Sequence, residues 1–284
     1  MKNYPKISIV TPSFNQGQYL EEAMLSVISQ GYPNLEYIVI DGGSADNSVE
    51  IIKKYEQYLA YWVSEKDAGM YHAVQKGFER SNGEIMAWIN SDDKYHQKSL
   101  FSLAALFEHY PNIHWLMGKN TFYTEDGLTF VADWDKKNEL WSKWRLYNFD
   151  GFIQQESVFW RRSLWEKAGA YIDPQWYLAA DLELWARFFR YETLYSTNFI
   201  LSGFRFRNEN QKSKDYRQQY MEQAHAILKR EKELNGDGPY LLYCLLMKYL
   251  SKLMPGKYKK RLLYKTLKFP QKIDFMPDEG FLLR

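Results

Sequence analysis

The chain has 284 residues, of which 45% are hydrophobic and 25% charged, and its 37 basic and 35 acidic side chains leave a net charge of +2. This length and balance fit a globular protein with one large domain, or one domain and an appendage. The near-neutral charge and the lack of zinc-finger spacing argue against nucleic-acid binding. The single cysteine, Cys244, excludes an internal disulfide and a cysteine metal cluster.

The start of the chain and its cysteine content together suggest a cellular location. Residues 1–5 lead directly into a strand-like run, so we expect no secretion signal. No uncharged apolar stretch reaches the ~18 residues needed to cross a bilayer. We therefore expect a cytoplasmic protein, with association at the inner face of the membrane as an open addition.

Residues 6–118 alternate strand-like and helix-like segments. Runs of buried type predict strands, and apolar residues at helical spacing predict the helices between them. The predicted strands are 6–11, 35–40, 61–63, 85–89 and 113–117, and the predicted helices are 18–30, about 46–59, 70–80 and 99–109. Repeated βα units imply a mostly parallel central sheet flanked by helices, which is an α/β fold.

The regular alternation of predicted strands and helices ends after residue 118. The predicted elements are a hairpin at 122–132, a strand at 157–160, a helix at 181–191, an extended region at 193–206 and a helix at 218–234. A Gly-Asp-Gly-Pro breaker follows at 236–239. We expect a main domain over 1–212 and a helical, basic and amphipathic extension over 213–284.

Residues 240–272 combine nine basic residues and no acidic one with many leucines. A cationic amphipathic segment of this kind can lie in an anionic membrane interface. The alternative is a helix pair docked on the main domain with a solvated basic face. The sequence leaves both open and predicts possible peripheral membrane contact through 240–272.

Acidic residues follow two of the predicted strands. Asn90, Ser91, Asp92 and Asp93 follow the strand at 85–89, and Asp41 follows the strand at 35–40. Open α/β sheets bind their ligands at the carboxyl ends of the strands. Adjacent carboxylates repel unless a cation lies between them, so we predict a divalent cation there, with an exposed turn and helix cap as the alternative.

Four segments in this order resemble family 2 glycosyltransferases, in particular bacterial enzymes that build surface polysaccharides such as O-antigen. They are ISIVTPSFN at 7–15, IVIDGGS at 38–44, NSDD at 90–93 and DLELW at 181–185. The resemblance implies a GT-A fold, with a nucleotide-binding half at 1–118 and an acceptor half at 119–212.

The resemblance also implies the donor site. Seven residues would contact the donor nucleotide, namely Thr11, Pro12, Asn15, Asp41, Asp67, Asn90 and Ser91. Asp41 is placed to accept hydrogen bonds from the base, whereas Asp67 has helix capping as an equal alternative. UDP is the nucleotide that the family favours, with GDP and dTDP open.

The metal-binding acids are also implied by the resemblance. Asp92 matches the last acid of the family's Asp-x-Asp motif, and Asp93 would be a second ligand or a support. Carboxylates suit Mn²⁺ or Mg²⁺, which would bridge the donor's phosphates. Asn90 replaces the usual first acid, which lowers the number of ligands.

On the acceptor side, Asp181 matches the family's catalytic base, with simple helix N-capping as the alternative. Glu183, two residues later, is expected to be solvated. Arg205 and Arg207 would bind the diphosphate, and Gln155 would contact a sugar unless it is a structural amide.

The expected function is inverting transfer of one sugar from a nucleotide donor to a glycan hydroxyl, with a lipid-linked acceptor, in surface polysaccharide synthesis. One alternative is a catalytically inactive carbohydrate-binding scaffold with the same fold. Another is a sugar-phosphate nucleotidyltransferase, which needs a glycine-rich, cationic loop after the first strand. The loop at 12–17 has one glycine and no cation.

Overall fold

A computed structural model describes residues 4–132, 140–209, 211–276 and 278–284. Its strands are β1 (Ile7–Ser13), β2 (Leu35–Asp41), β3 (Tyr61–Ser64), β4 (Ile85–Trp88), β5 (Lys94–Tyr95), β6 (Trp115–Met117), β7 (Thr121–Tyr123), β8 (Thr129–Phe130), β9 (Val158–Arg161), β10 (Tyr195–Thr197), β11 (Ser202–Arg205), β12 (Lys272–Met276) and β13 (Gly280–Leu283). Its helices are α1 (Gly17–Ile28), α2 (Ser48–Lys54), α3 (Met70–Arg80), α4 (Ser99–His109), α5 (Lys143–Tyr147), α6 (Arg162–Lys167), α7 (Ala180–Phe188), α8 (Lys212–Asp215), α9 (Arg217–Leu234), α10 (Gly238–Leu250) and α11 (Gly256–Thr266).

A nine-stranded sheet forms the centre of the molecule, in the order β13-β12-β10-β6-β9-β4-β1-β2-β3. The pairs from β4 to β3 are parallel, whereas β9 runs antiparallel to both of its neighbours. A second sheet has the order β5-β11-β7-β8. The predicted α/β fold with a mostly parallel sheet is confirmed.

Alternation along the strands creates a core on each face of the large sheet. In β2, Ile38 and Ile40 join one core cluster, whereas Tyr37 and Val39 join the other, as the two-residue period of a strand requires. Helix α3 crosses β1 closely at Gly77, where a Cβ atom would lie 2.4 Å from a methyl group of Val10. A larger residue there would push α3 away from the sheet.

The C-terminal extension contains the predicted helices, but it also adds strands to the main sheet. β12 pairs in parallel with β10, and β13 pairs antiparallel with β12. The extension is therefore not entirely helical. No helix in the described ranges is long and apolar enough to cross a membrane.

Candidate active site

The carboxyl ends of β1, β2 and β4 lie side by side at one edge of the sheet. The parallel register places Ser13 opposite Asp41 and Val10 opposite Trp88. The loops that follow these strands therefore leave the sheet together. We call this edge, with the loops 14–17, 42–47, 65–69 and 89–93, the carboxyl edge.

Asp41 organises the loop that follows β2. Its carboxylate accepts hydrogen bonds from the N–H groups of Gly43 and Ser44, at 3.1 and 2.9 Å, and from the hydroxyls of Ser44 and Ser64. Gly43 has a φ of +80°, a conformation that favours glycine. Since Asp41 is fully buried, in this conformation it shapes the predicted nucleotide pocket through its loop, and direct contact with a base stays a prediction.

The loop after β1 is tied to the loop after β2 through Asn15. Its N–H donates to the Ser44 hydroxyl at 2.8 Å, and its side-chain oxygen accepts from the N–H of Ala45 at 2.8 Å. Thr11 and Pro12 lie below this loop and are buried, with the Thr11 hydroxyl 3.1 Å from that of Tyr37. Thr11 therefore has its polar partner inside the protein.

Asp67 lies beside the same loop. One carboxylate oxygen accepts from the N–H of Gly69 at 2.7 Å, just before α3 begins, and the carboxylate also lies against Gly42. Asp67 thus supports the start of α3, as the capping alternative expects, and it also borders the loop after Asp41, where a contact with the nucleotide stays a prediction.

A tight turn, Asn90–Asp93, follows β4. The Asn90 side-chain amide donates to one oxygen of Asp93 at 3.2 Å, and the N–H of Arg205 donates to the other at 2.8 Å. Ser91 and Asp93 are buried. Burial first, and then the charges of Asp92 and Glu156, raise the pKa of Asp93 well above its usual value. Asp93 therefore supports the turn from inside.

Asp92 is the more accessible acid of this turn, with 16% of its side chain exposed, and it forms an ion pair with Arg207 at 3.1 Å. Arg207 also donates to the side-chain oxygen of Gln16 at 3.2 Å, and its guanidinium lies 5.7 Å from the ring centre of Tyr19. A buried cation thus lies next to the acid expected at the diphosphate. This geometry fits a phosphate contact for Arg207.

Arg205 has a different environment. Its side-chain nitrogens donate to the backbone oxygens of Asp92 at 2.7 Å and Glu125 at 2.8 Å, and to the carboxylate of Glu22 at 2.5 Å. It is 1% exposed. Arg205 therefore holds the 90–93 turn in position, and the structure favours Arg207 over Arg205 as the phosphate contact.

Asp181 lies in the first turn of α7, and Ala179 occupies the N-cap position, so the N-cap alternative for Asp181 is wrong. One oxygen of Asp181 accepts from the N–H of Leu182 at 2.8 Å and from the Tyr71 hydroxyl at 3.1 Å. Burial raises the pKa of Asp181 to about 6, although both of these hydrogen bonds lower it. A carboxylate with this pKa is suited to accept a proton near neutral pH.

Two contacts bring Asp181 to the carboxyl edge. Tyr71 lies at the start of α3, which follows the carboxyl end of β3. Four residues beyond Asp181, Trp185 stacks on Trp88 of β4, with ring centres 5.6 Å apart, and residues four apart lie on one face of a helix. Asp181 therefore lies one helical turn from a residue that packs on the end of the strand leading into Asn90–Asp93.

The expectation that Glu183 is solvated is wrong. Glu183 is fully buried and pairs with Arg187 at 2.8 Å and with Arg230 of α9 at 2.8 Å. This network joins α7 to α9. It fixes the helix that carries Asp181.

Gln155 is held by a hydrogen bond from its side-chain amide nitrogen to the backbone oxygen of Trp88 at 2.7 Å. Its side-chain oxygen is buried and has no partner among the described residues. A buried amide oxygen without a partner has an unfavourable free energy. The anchored amide favours a structural role for Gln155, and its contact with a sugar stays a prediction.

The carboxylates of the 90–93 turn allow a test of whether a metal ion fits. The described residues contain no group of three His, Cys, Asp or Glu side chains that could hold one. Each oxygen of Asp93 already accepts a hydrogen bond, which favours a supporting role for Asp93 over that of a second ligand. Asp92, whose carboxylate is partly exposed beside Arg207, is the residue of this turn that would hold a cation.

Three residues that no sequence pattern marks also border the site, namely Tyr71, Gln16 and Tyr19. Tyr71 follows Asp67 in the chain, but its contact with Asp181 spans 110 residues. Gln16 and Tyr19 border Arg207, which lies 191 residues after Gln16. Local patterns carry no signal for such distant pairs.

The parallel sheet, the nucleotide-side loops and the acids at one edge define a GT-A nucleotide-diphospho-sugar transferase fold. Residues 8–166 match the family model "Glycosyl transferase family 2", which is more than half of the chain. The chain therefore belongs to glycosyl transferase family 2. The matched region ends before Asp181 and Arg207.

Curated relatives match mainly the first part of the chain. An uncharacterized glycosyltransferase of Mycobacterium tuberculosis is 38% identical over 96 residues, which are 34% of this chain and 37% of the relative. A Bacillus subtilis protein, TuaG, named as a candidate teichuronic acid biosynthesis glycosyltransferase, is 34% identical over 101 residues, which are 34% of this chain and 39% of the relative. The chain thus spans less than half the length of these relatives.

Two solved structures share the fold at low sequence identity. Staphylococcus aureus TarS 1–349 in complex with UDP-GlcNAc has a TM-score of 0.62 and 17% identity, covering 92% of this chain and 71% of that protein. The mannosyltransferase PcManGT of Pyrobaculum calidifontis, in complex with GDP-Man and Mn²⁺, has a TM-score of 0.58 and 14% identity, covering 94% and 86%. At this identity the likeness supports the fold.

Proposed function

We propose that this protein is an inverting glycosyltransferase that moves one sugar from a nucleotide diphosphate donor to a hydroxyl of a glycan in surface polysaccharide synthesis. The observation that carries the proposal is the position of Asp181. Asp181 has a pKa of about 6, it contacts Tyr71 at the start of α3, and it lies one helical turn from Trp185, which stacks on Trp88 at the end of β4. A proton acceptor and a site for a departing anion therefore share one edge.

In the proposed reaction, Asp181 removes the proton from the acceptor hydroxyl. The acceptor oxygen attacks the anomeric carbon of the donor sugar, and the bond from that carbon to the diphosphate oxygen breaks. The electron pair leaves with the nucleoside diphosphate, so the configuration at the anomeric carbon inverts. Asp181 retains the proton until it is released to solvent.

The departing diphosphate is negatively charged and needs compensation. Arg207 is 7% exposed and paired with Asp92, and it would donate hydrogen bonds to phosphate oxygens. A Mn²⁺ or Mg²⁺ ion held with Asp92 would neutralise charge on the diphosphate when bound. Arg205 would hold the 90–93 turn in position next to Arg207.

The names of similar proteins support a more specific proposal for the donor and the acceptor. TuaG is named for teichuronic acid biosynthesis, and TarS was solved with UDP-GlcNAc. These favour a UDP-sugar donor and a cell-surface glycan, with a lipid-linked acceptor as the form in which such glycans are built. PcManGT, solved with GDP-Man, keeps GDP among the donors to test.

The test is nucleotide release from a panel of UDP-, GDP- and dTDP-sugars, with and without Mn²⁺. We expect one donor class to be turned over, and Asp181→Asn to abolish release while nucleotide still binds. Asp92→Asn should raise the Mn²⁺ concentration needed for half-maximal release. No release from any donor, or unchanged release by Asp181→Asn, would refute the proposal.

A catalytically inactive scaffold is the second candidate. It is favoured by Asn90 in place of an acid and by the ion pair that engages Asp92. A scaffold would bind the nucleoside diphosphate with the same affinity in the presence and absence of metal. It would not cleave any nucleotide-sugar donor, so no nucleotide would be released from the panel. The same panel, read by calorimetry as well as by nucleotide release, separates the two candidates.

A further inference from the structure

The outer face of α10 and the turn that follows it carries an apolar strip. Its members recur at helical spacing and are between 54% and 81% exposed, namely Leu242, Leu245, Leu246, Tyr249 and Leu253. Spacings of three and four residues place them on one side of the helix. We call these five residues the outer strip. Contiguous exposed apolar residues of this size mark interaction surfaces.

The inner face of α10 is already packed on the protein. Cys244 is fully buried and forms a small core with Trp144 of α5 and Leu267 after α11. The helix is therefore docked, as one reading of the sequence expected. That alternative also expects a solvated basic face, and Lys260, Arg261 and Lys265 are exposed. The apolar outer strip is an additional feature that simple docking does not explain.

The segment that carries the outer strip has charged residues of a single sign. Between Gly238 and Ile273 there are nine basic residues and no acidic one, a charge of +9. Because the whole chain carries +2, the remaining residues sum to −7. This separation orients the molecule, since an anionic surface attracts the C-terminal side and repels the rest.

An open cationic cavity lies along α11 and the residues that follow it. It has a volume of about 700 Å³ and is lined by Lys260, Arg261, Tyr264, Lys265, Phe269 and Gln271. Three cations and an amide can donate hydrogen bonds to a phosphate group. The two aromatic rings give the same cavity an apolar wall.

We propose that α10 and α11 form a peripheral binding site for bilayers that contain anionic phospholipids. The outer strip enters the interface between headgroups and acyl chains, and the cavity takes a phosphate headgroup. Apolar insertion and charge attraction act together at such surfaces. The binding lies in the plane of the membrane, which suits a helix of 13 residues, and it does not depend on the proposed transferase activity.

The test is co-sedimentation of the full chain with vesicles of phosphatidylcholine alone or mixed with phosphatidylglycerol. We expect binding to the mixed vesicles, little binding to the neutral ones, and a decrease with added salt. Equal binding to both kinds of vesicle, or no binding to either, would overturn the proposal.

Two sets of substitutions separate the apolar and charged parts. Leu246→Ser with Tyr249→Ser should reduce partitioning at least tenfold, whereas Leu128→Ser, at a site 70% exposed on the β7–β8 turn, should not. Unchanged partitioning of the double variant would refute the role of the strip. Because the substituted side chains are exposed, thermal melting should show an unchanged fold.

The charged set is Lys260→Gln, Arg261→Gln and Lys265→Gln. It should reduce partitioning about 100-fold, from roughly fivefold for each basic residue near an anionic surface. The matched control removes three exposed cations elsewhere, Lys53, Arg80 and Lys229, and should have a much smaller effect. Equal effects of the two sets would show general charge attraction and overturn the assignment of the cavity.

Self-association is the competing use of an apolar strip. Sedimentation velocity of the full chain without lipid should show a monomer. A dimer that the strip variant dissociates would assign the strip to a second copy and overturn the membrane proposal. Nucleotide release on a soluble acceptor should be the same in all of these variants, so that loss of membrane binding is distinguishable from loss of the proposed activity.

Discussion

Replacing Asp181 with asparagine gives the sharpest test of the proposed base, because it changes activity and stability in opposite directions. The side chains have the same shape, and the asparagine oxygen can still accept from Leu182 N–H and Tyr71. What is lost is the ability to take a proton. Transfer should fall by about 10²–10⁴-fold, while the affinity for nucleoside diphosphate stays unchanged.

The size of the stability change follows from the raised pKa of Asp181. The shift from 3.8 to about 6 is roughly two pKa units, and each unit corresponds to about 1.4 kcal/mol. Because the folded state holds the proton more tightly than the unfolded state, Asp181 lowers the free energy of unfolding as pH rises from about 4 to 6. Above that range, the variant should be more stable than the parent by up to about 3 kcal/mol.

Urea unfolding at a series of pH values measures this difference. The stabilisation should vanish near pH 4, where the carboxyl is protonated in both states. A merely structural acid in the first turn of α7 would give a variant that is less stable at every pH and still active. That combination would refute the assignment of Asp181.

Three further variants test the surroundings of the site. Tyr71→Phe removes a hydrogen bond that lowers the pKa of Asp181, so the rising limb of the kcat–pH profile should move above its midpoint near 6, and an unchanged midpoint would contradict the contact. Arg207→Gln should weaken nucleoside diphosphate binding about 10- to 100-fold in calorimetry, as the loss of a charged hydrogen bond predicts. Arg162→Gln is the control and should leave the affinity unchanged, because the Arg162 side chain donates to the backbone oxygen of Gly83, at the opposite end of β4 from the site. Glu183→Gln removes the carboxylate that pairs with the buried Arg187 and should lower the free energy of unfolding by about 3–5 kcal/mol, although Arg230 keeps its pair with Asp173; a loss below 1 kcal/mol would show that the network is weak.

Much of the fold could be predicted because its signals are local. The strands from β1 to β4 are short apolar runs that end on polar residues, and the helices between them have apolar residues at helical spacing. The same pattern predicted that Asp41 and Asp92 lie at one edge. Alternation of strands and helices leaves few topologies other than a parallel sheet.

The details of the site could not be predicted because they depend on partners far apart in the chain. Glu183 reads as solvated from its place on α7, but Arg230 lies 47 residues away and pairs with it in the core. The strand β12 joins the main sheet by pairing with β10, and its five residues have no distinctive period. Local patterns place a residue on an element, whereas burial and partners depend on how elements pack.

The carboxylates of Asp92 and Asp181 have different surroundings, and this difference supports the different roles proposed for them. Asp92 faces a guanidinium, whereas the groups that donate to Asp181 are a hydroxyl and a backbone N–H. A carboxylate beside a cation holds its negative charge easily, and one buried without a cation accepts a proton easily. The surroundings of Asp92 therefore suit a departing diphosphate with its counter-ion, and those of Asp181 suit removal of a proton from the incoming hydroxyl.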